Sequence, residues 1–64
     1  MRIVKREVVV NTKSERAFKG VLWSRTFDLL VLKKAVLLQP GGGTIPLDGD
    51  TVIFKKDVDF MQVL

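Results

Sequence analysis

Sixty-four residues, 47% of them hydrophobic and carrying a net charge of +4, make one small domain, 1–64, with little room for a core. Folding at this size buries only about 60% of the surface that the extended chain exposes. The chain has no cysteine and no histidine, so disulfides, zinc fingers and most metal clips are excluded as staples, and association between subunits remains.

The charge is uneven. Residues 1–34 hold nine Lys or Arg against three acids, a surplus of six, and residues 35–64 hold two against four, a deficit of two. Such asymmetry fits nucleic-acid contact through the basic part, or packing of copies basic face to acidic face. The longest apolar run, Leu29 to Leu32, falls far short of the roughly 20 residues of a membrane span, and no signal-peptide core precedes it. A cytoplasmic protein without membrane contact is the expectation.

In chain order, residues 1–7 read as a short basic, extended lead-in. Val8, Val9 and Val10 are β-branched, which favours a strand over a helix start. Residues 11–15 (NTKSE) are polar and turn-prone. A second strand follows over residues 16–24, with Phe18, Gly20 and Leu22 on one face and Ala17, Lys19, Val21 and Trp23 on the other. The first face is the expected interior. Gly20 interrupts an otherwise bulky run, and without a Cβ it lets a strand bend sharply or another backbone come close.

Residues 24–28 (SRTFD) read as a turn and residues 29–38 (LLVLKKAVLL) as a third strand. The leucines are good helix formers, so a helix is the alternative there. Its apolar residues would surround the axis on all sides, which suits a fully buried helix that so short a chain cannot enclose. Residues 39–50 (QPGGGTIPLDGD) read as a Gly/Pro-rich loop whose Ile45-Pro46-Leu47 caps an open end of the sheet. Thr51, Val52, Ile53 and Phe54 resume as strand, residues 55–57 (KKD) form a tight turn, and residues 58–64 (VDFMQVL) alternate as a final strand. That strand carries no charge after Asp59, so its edge is prone to aggregation unless paired. The surface through which copies join is accordingly expected at Thr51, Val52, Ile53, Phe54, Phe60, Met61 and Val63.

VVVNTKSERAFKGVL at residues 8–22 resembles the first half of the first Sm motif, which reaches a Gly-x-Leu step, here Gly20-Val21-Leu22. LLVLKKA at 29–35 resembles the third-strand signature, and TVIFKKDVDFMQV at 51–63 the second Sm motif. The chain also resembles small proteins carried by tailed phages of actinobacteria, through its Gly-Val-Leu-Trp step and its closing Val-Asp-Phe-x-Gln-Val strand. The Sm resemblance implies an all-β fold, a strongly bent five-stranded antiparallel barrel. Its fourth strand would pair with the fifth of a neighbour, building a ring of identical subunits that often binds RNA.

In RNA-binding members an aromatic before the third strand stacks on a base and an Asn after it reads that base. Phe27 matches the aromatic, whereas the Asn position falls on Leu29 with Asp28 beside it, and Phe54-Lys55 stands where an Arg-Gly pair is usual. The resemblance therefore implies a single-stranded RNA site at Arg25, Phe27, Lys55 and Lys56 that works by stacking and charge rather than by reading uridine. The plainer alternative puts Phe27 in the core and the lysines in solvent.

Other chemistry finds little footing. Nucleophilic catalysis needs an activating base, and Ser14 and Ser24 sit in expected turns without one. Asp48-Gly49-Asp50 lacks the further ligands of a calcium loop. Residues 41–44 (GGGT) lack the Lys-Ser/Thr and the helix of a phosphate loop. Trp23 serves either as an anchor in a subunit contact or as core filling. The expectation is a non-enzymatic protein without cofactor or metal, partnered by itself and by RNA. Its alternative is a phage structural, assembly or host-interaction protein, acting in the host cytoplasm, that uses the same barrel only for protein contacts.

Overall fold

Alternating apolar residues and β-branched runs set strands along almost the whole chain. The computed structural model describes residues 3–64 and has six strands: β1 (Glu7–Thr12), β2 (Ala17–Arg25), β3 (Leu29–Leu38), β4 (Thr44–Pro46), β5 (Thr51–Phe54) and β6 (Val58–Val63). All pair antiparallel in the order β4-β3-β2-β1-β6, and β5 pairs with β3 beside β4. A 3-10 turn, Lys55–Asp57, carries the chain from β5 to β6. No helix among the described residues is long and apolar enough to cross a membrane.

The hub is β3. One flank pairs with β2; on the other, Leu29–Leu32 pair with β5, and Val36, Leu37 and Leu38 pair with β4. This stretch is strand throughout, and the helix alternative fails because ladders on both flanks satisfy its backbone, which outweighs the helix propensity of its leucines. The core is one cluster of Val8, Val10, Leu22, Leu30, Leu32, Ala35 and Ile53, with Phe18, Leu47, Val58, Met61 and Val63 packed against it. The expected interior face of the second strand is correct: Gly20 and Leu22 are buried and Phe18 borders the core.

Two compensating bulges shape the β2–β3 pair. Lys19 pairs with Val36 but Val21 with Lys33, so Gly20 faces one extra residue on β3, where Lys34 takes a φ of 52°. Leu22 pairs with Leu32 but Ser24 with Val31, so Trp23 is the extra residue on β2. Each bulge bends its strand and tightens the local twist.

Four features differ from expectation. The sheet has six strands, because Thr44–Pro46, inside the expected loop, adds to the edge of β3. Gly41 and Gly42, at φ 93° and 107°, turn the chain back, and Pro46 is tolerated because β4 lies on an edge. The sheet is not closed into a barrel, since no ladder joins β6 to β4 or β5 among the described residues. Part of the lead-in turns instead of extending: Arg6 N–H donates to Ile3 O, Lys5 N–H donates to Leu22 O, and Ile3 packs on the core. Met1 and Arg2 of that lead-in lie outside the described residues. Lastly, β6 is not a simple alternation. A register shift opposite Asn11 and Thr12 leaves Asp59 unpaired, and Val58 turns to the core side with Met61 and Val63.

Candidate functional site

The β2–β3 hairpin closes with a two-residue tip, Phe27 and Asp28. Thr26 N–H donates to Leu29 O at 2.9 Å, and Leu29 N–H donates to Thr26 Oγ1 at 3.2 Å. Thr26 Oγ1 in turn donates to Asp28 Oδ1 at 3.2 Å, so one threonine hydroxyl braces the tip from both sides. With backbone and carboxylate held in this way, Phe27 projects outward and is 97% exposed. The plainer alternative, Phe27 in the core, does not hold. Full exposure of an aromatic side chain forgoes the burial that would contribute roughly 1.5–3 kcal/mol.

The tip is fastened to the far end of β5. Lys55 N–H donates to Asp28 O at 2.8 Å, continuing the ladder in which Leu29 faces Phe54. Phe27, Asp28, Phe54, Lys55 and Lys56 thereby line one concavity of about 370 Å³. Phe54 is half exposed, and the Lys56 ammonium lies 6.0 Å from its ring centroid, at the outer limit of a cation–π contact. The site thus combines two aromatic faces, two ammonium groups and one carboxylate. Among the described residues the one ion pair is Lys33–Asp50 at 3.8 Å, elsewhere on the sheet, so Lys55, Lys56 and Asp28 are not neutralised in that way.

Of the four residues expected to contact RNA, the structure gathers Phe27, Lys55 and Lys56. Arg25 ends β2 opposite Leu30, exposed beside the base of the hairpin but outside the concavity. Phe54 and Asp28 were not expected as lining residues. Phe54 is two turns of chain away from Phe27 in sequence, and only the β3–β5 register brings them together.

A larger groove, about 540 Å³, runs beside the flank of β5 that has no strand partner among the described residues. Phe18, Ile53 and Phe54 give it an apolar lining, and Lys13 and Arg16 from the β1–β2 turn line it together with Asp57. The residues expected to join copies divide by face. Val52, Phe54 and Phe60 are 50%, 51% and 53% exposed, Thr51 is half-buried, Ile53 is buried in the core, and Met61 and Val63 pack against it. From Ile53, Met61 and Val63 a partner would therefore meet chiefly backbone.

Trp23 is neither core filling nor bare. It faces outward at 44% exposure, with the Lys5 and Lys33 ammonium groups 5.0 and 4.8 Å from its ring centroid. Alternation already sets Trp23 on the face opposite the interior; the bulge that makes it an extra residue is what alternation alone does not reveal.

The chain matches no protein-family model and no curated protein sequence.

Proposed function

We propose that this chain is a non-enzymatic Sm-like protein whose open, strongly bent sheet assembles with copies of itself and that holds single-stranded RNA in the concavity at the hairpin tip. The observation that carries the RNA part is the fully exposed Phe27 standing beside Lys55 and Lys56, a stacking face next to two cations. Stacking on an aromatic contributes about 1–3 kcal/mol per base and tolerates any base, while ammonium groups attract the phosphates that follow. Cytoplasmic RNA, in the host if a phage encodes the chain, is the partner in this reading.

Self-association rests on a second set of features. Among the described residues β5 has a partner on one flank only, and so does β6. Both carry large apolar side chains in solvent: Val52 and Phe54 on β5, Phe60 on β6. Unpaired edges with apolar faces recruit further strands. Pairing β5 of one copy with β6 of the next would complete the sheet around the core, and repetition of that contact gives a ring.

Binding is tested by fluorescence anisotropy with a labelled single-stranded RNA at rising salt. The expected result is an affinity that falls steeply with salt, and that drops further when Phe27→Ala, Lys55→Ala and Lys56→Ala are combined. No binding at low salt sinks the RNA part. The exposed Val52, Phe54 and Phe60 favour a second reading, a phage structural, assembly or host-interaction protein whose contacts are all with protein. Light scattering after chromatography separates the two: oligomers free of co-purified nucleic acid, with no affinity for added RNA, decide for the second.

A further inference from the structure

We infer that Asp28 makes the concavity at the hairpin tip select guanine among single-stranded RNA bases, an inference that rests on the RNA reading above. A carboxylate is out of place in a site that receives a polyanion, since it repels each phosphate that approaches. Besides accepting from Thr26 Oγ1 within the turn, it has oxygen lone pairs left that become useful to RNA binding when they accept hydrogen bonds from the base. An ionised carboxylate is an acceptor with two oxygens and no donor. Guanine presents N1–H and N2–H₂ side by side on its Watson–Crick edge, two donors at the spacing of two carboxylate oxygens. Uracil sets its one N3–H between two carbonyl oxygens, which a carboxylate repels. Adenine and cytosine each place an acceptor beside the donor. Guanine alone is matched at both positions.

The structure supplies the surroundings that such reading needs. Asp28 is exposed and follows directly on Phe27, whose ring is open to stack a base. Its backbone is pinned by Lys55 N–H at 2.8 Å. The carboxylate is oriented by Thr26 Oγ1, which donates to Oδ1 at 3.2 Å and leaves Oδ2 and the remaining lone pair of Oδ1 for a ligand. Although Lys55 and Lys56 line the same concavity, neither lies within ion-pair distance of Asp28. Their charges offset the repulsion of the phosphates without occupying the carboxylate.

The test uses four six-nucleotide RNAs, uridine throughout except for one central G, A, C or U, titrated at low salt and followed by anisotropy. The G oligonucleotide is expected to bind between about 5- and 150-fold tighter than the U oligonucleotide, the range for a bidentate side-chain contact to a base edge. Asp28→Asn keeps an oxygen for Thr26 but replaces one acceptor by a donor. It strengthens all four by removing a negative charge, so the G-to-U ratio is the readout, and that ratio is expected to collapse. Equal affinity of the wild type for all four overturns guanine selection while leaving RNA binding in place. A G preference that survives Asp28→Asn overturns it as well. Binding to none of the four removes the RNA reading, and this inference with it.

Discussion

A methyl group at Gly20 would sit 3.0 Å from Ala35 Cα and 3.1 Å from the Lys33 carbonyl oxygen. Both are backbone atoms of β3 and have little room to retreat, so the absence of a side chain at this residue is what lets β2 and β3 cross the bulge in contact. Gly20→Val is expected to cost about 1–3 kcal/mol by overpacking, read as a lower urea midpoint with an unchanged slope. A midpoint equal to the wild type would mean that the strands are not closely apposed there. Leu32 is fully buried in the same cluster. Leu32→Ala should cost about 2–5 kcal/mol, a large share of the roughly 3–10 kcal/mol available to a domain of this length. Loss of a cooperative thermal transition near room temperature is therefore the expected outcome, and a melt shifted by only a degree or two would count against a single core. At Trp23 the two lysines contribute less, about 0.5–1 kcal/mol each for a partly exposed cation–π pair.

Among the elements, the β1–β2 turn depends on one side chain. Thr12 Oγ1 donates to Arg16 O and accepts from Arg16 N–H, both at 3.2 Å, and exchanges a 2.9 Å bond with Ser14 Oγ. The side chain is almost fully buried, so Thr12→Val keeps its shape but takes its acceptor from Arg16 N–H, while Arg16 O keeps the 2.8 Å bond from Thr12 N–H. A loss of about 1–3 kcal/mol is expected in chemical denaturation; an unchanged stability would show that water replaces the hydroxyl without cost. At the opposite extreme stand β5 and β6, whose outer side chains contribute nothing to the core. Val52→Lys together with Phe60→Lys should reduce the mass in solution to that of one chain, because charge on an edge opposes strand addition, and lower the melting temperature by the stabilisation that association contributes. Oligomers of wild-type mass from the double variant would place the contact elsewhere.

For the whole molecule, the uneven charge makes a prediction that no single residue makes. The slope of log affinity against log salt measures the phosphates neutralised, at roughly 0.7 per contact for single strands. If Lys55 and Lys56 are the principal phosphate contacts, their joint replacement by alanine reduces that slope by about 1.4. A slope that stays the same assigns the contacts to the basic residues of the first half of the chain instead. The same scale shows how much was legible beforehand. Strand limits at Leu29–Leu38 and Thr51–Phe54 follow directly from the residues, because turn chemistry brackets them on both sides. β4 was not legible: Pro40 and three glycines before it, and Pro46 within it, carry every local mark of a loop, and its three exposed residues pair only because β3 offers an edge. The bulges at Trp23 and Asp59 were hidden for a related reason. A bulge is a mismatch in count between two strands, and neither strand shows it alone.

From its residues alone the chain is committed to strands, to an interior face of the second strand at Phe18, Gly20 and Leu22, and to a basic first half, since all three depend on local propensity, alternation and composition. Which side chains meet was decided by the tertiary structure. Phe27 faces Lys55 and Lys56 only through the β3–β5 register, and that register depends on how residues 39–50 fold. Contacts between segments so far apart depend on pairing that no local stretch of sequence encodes.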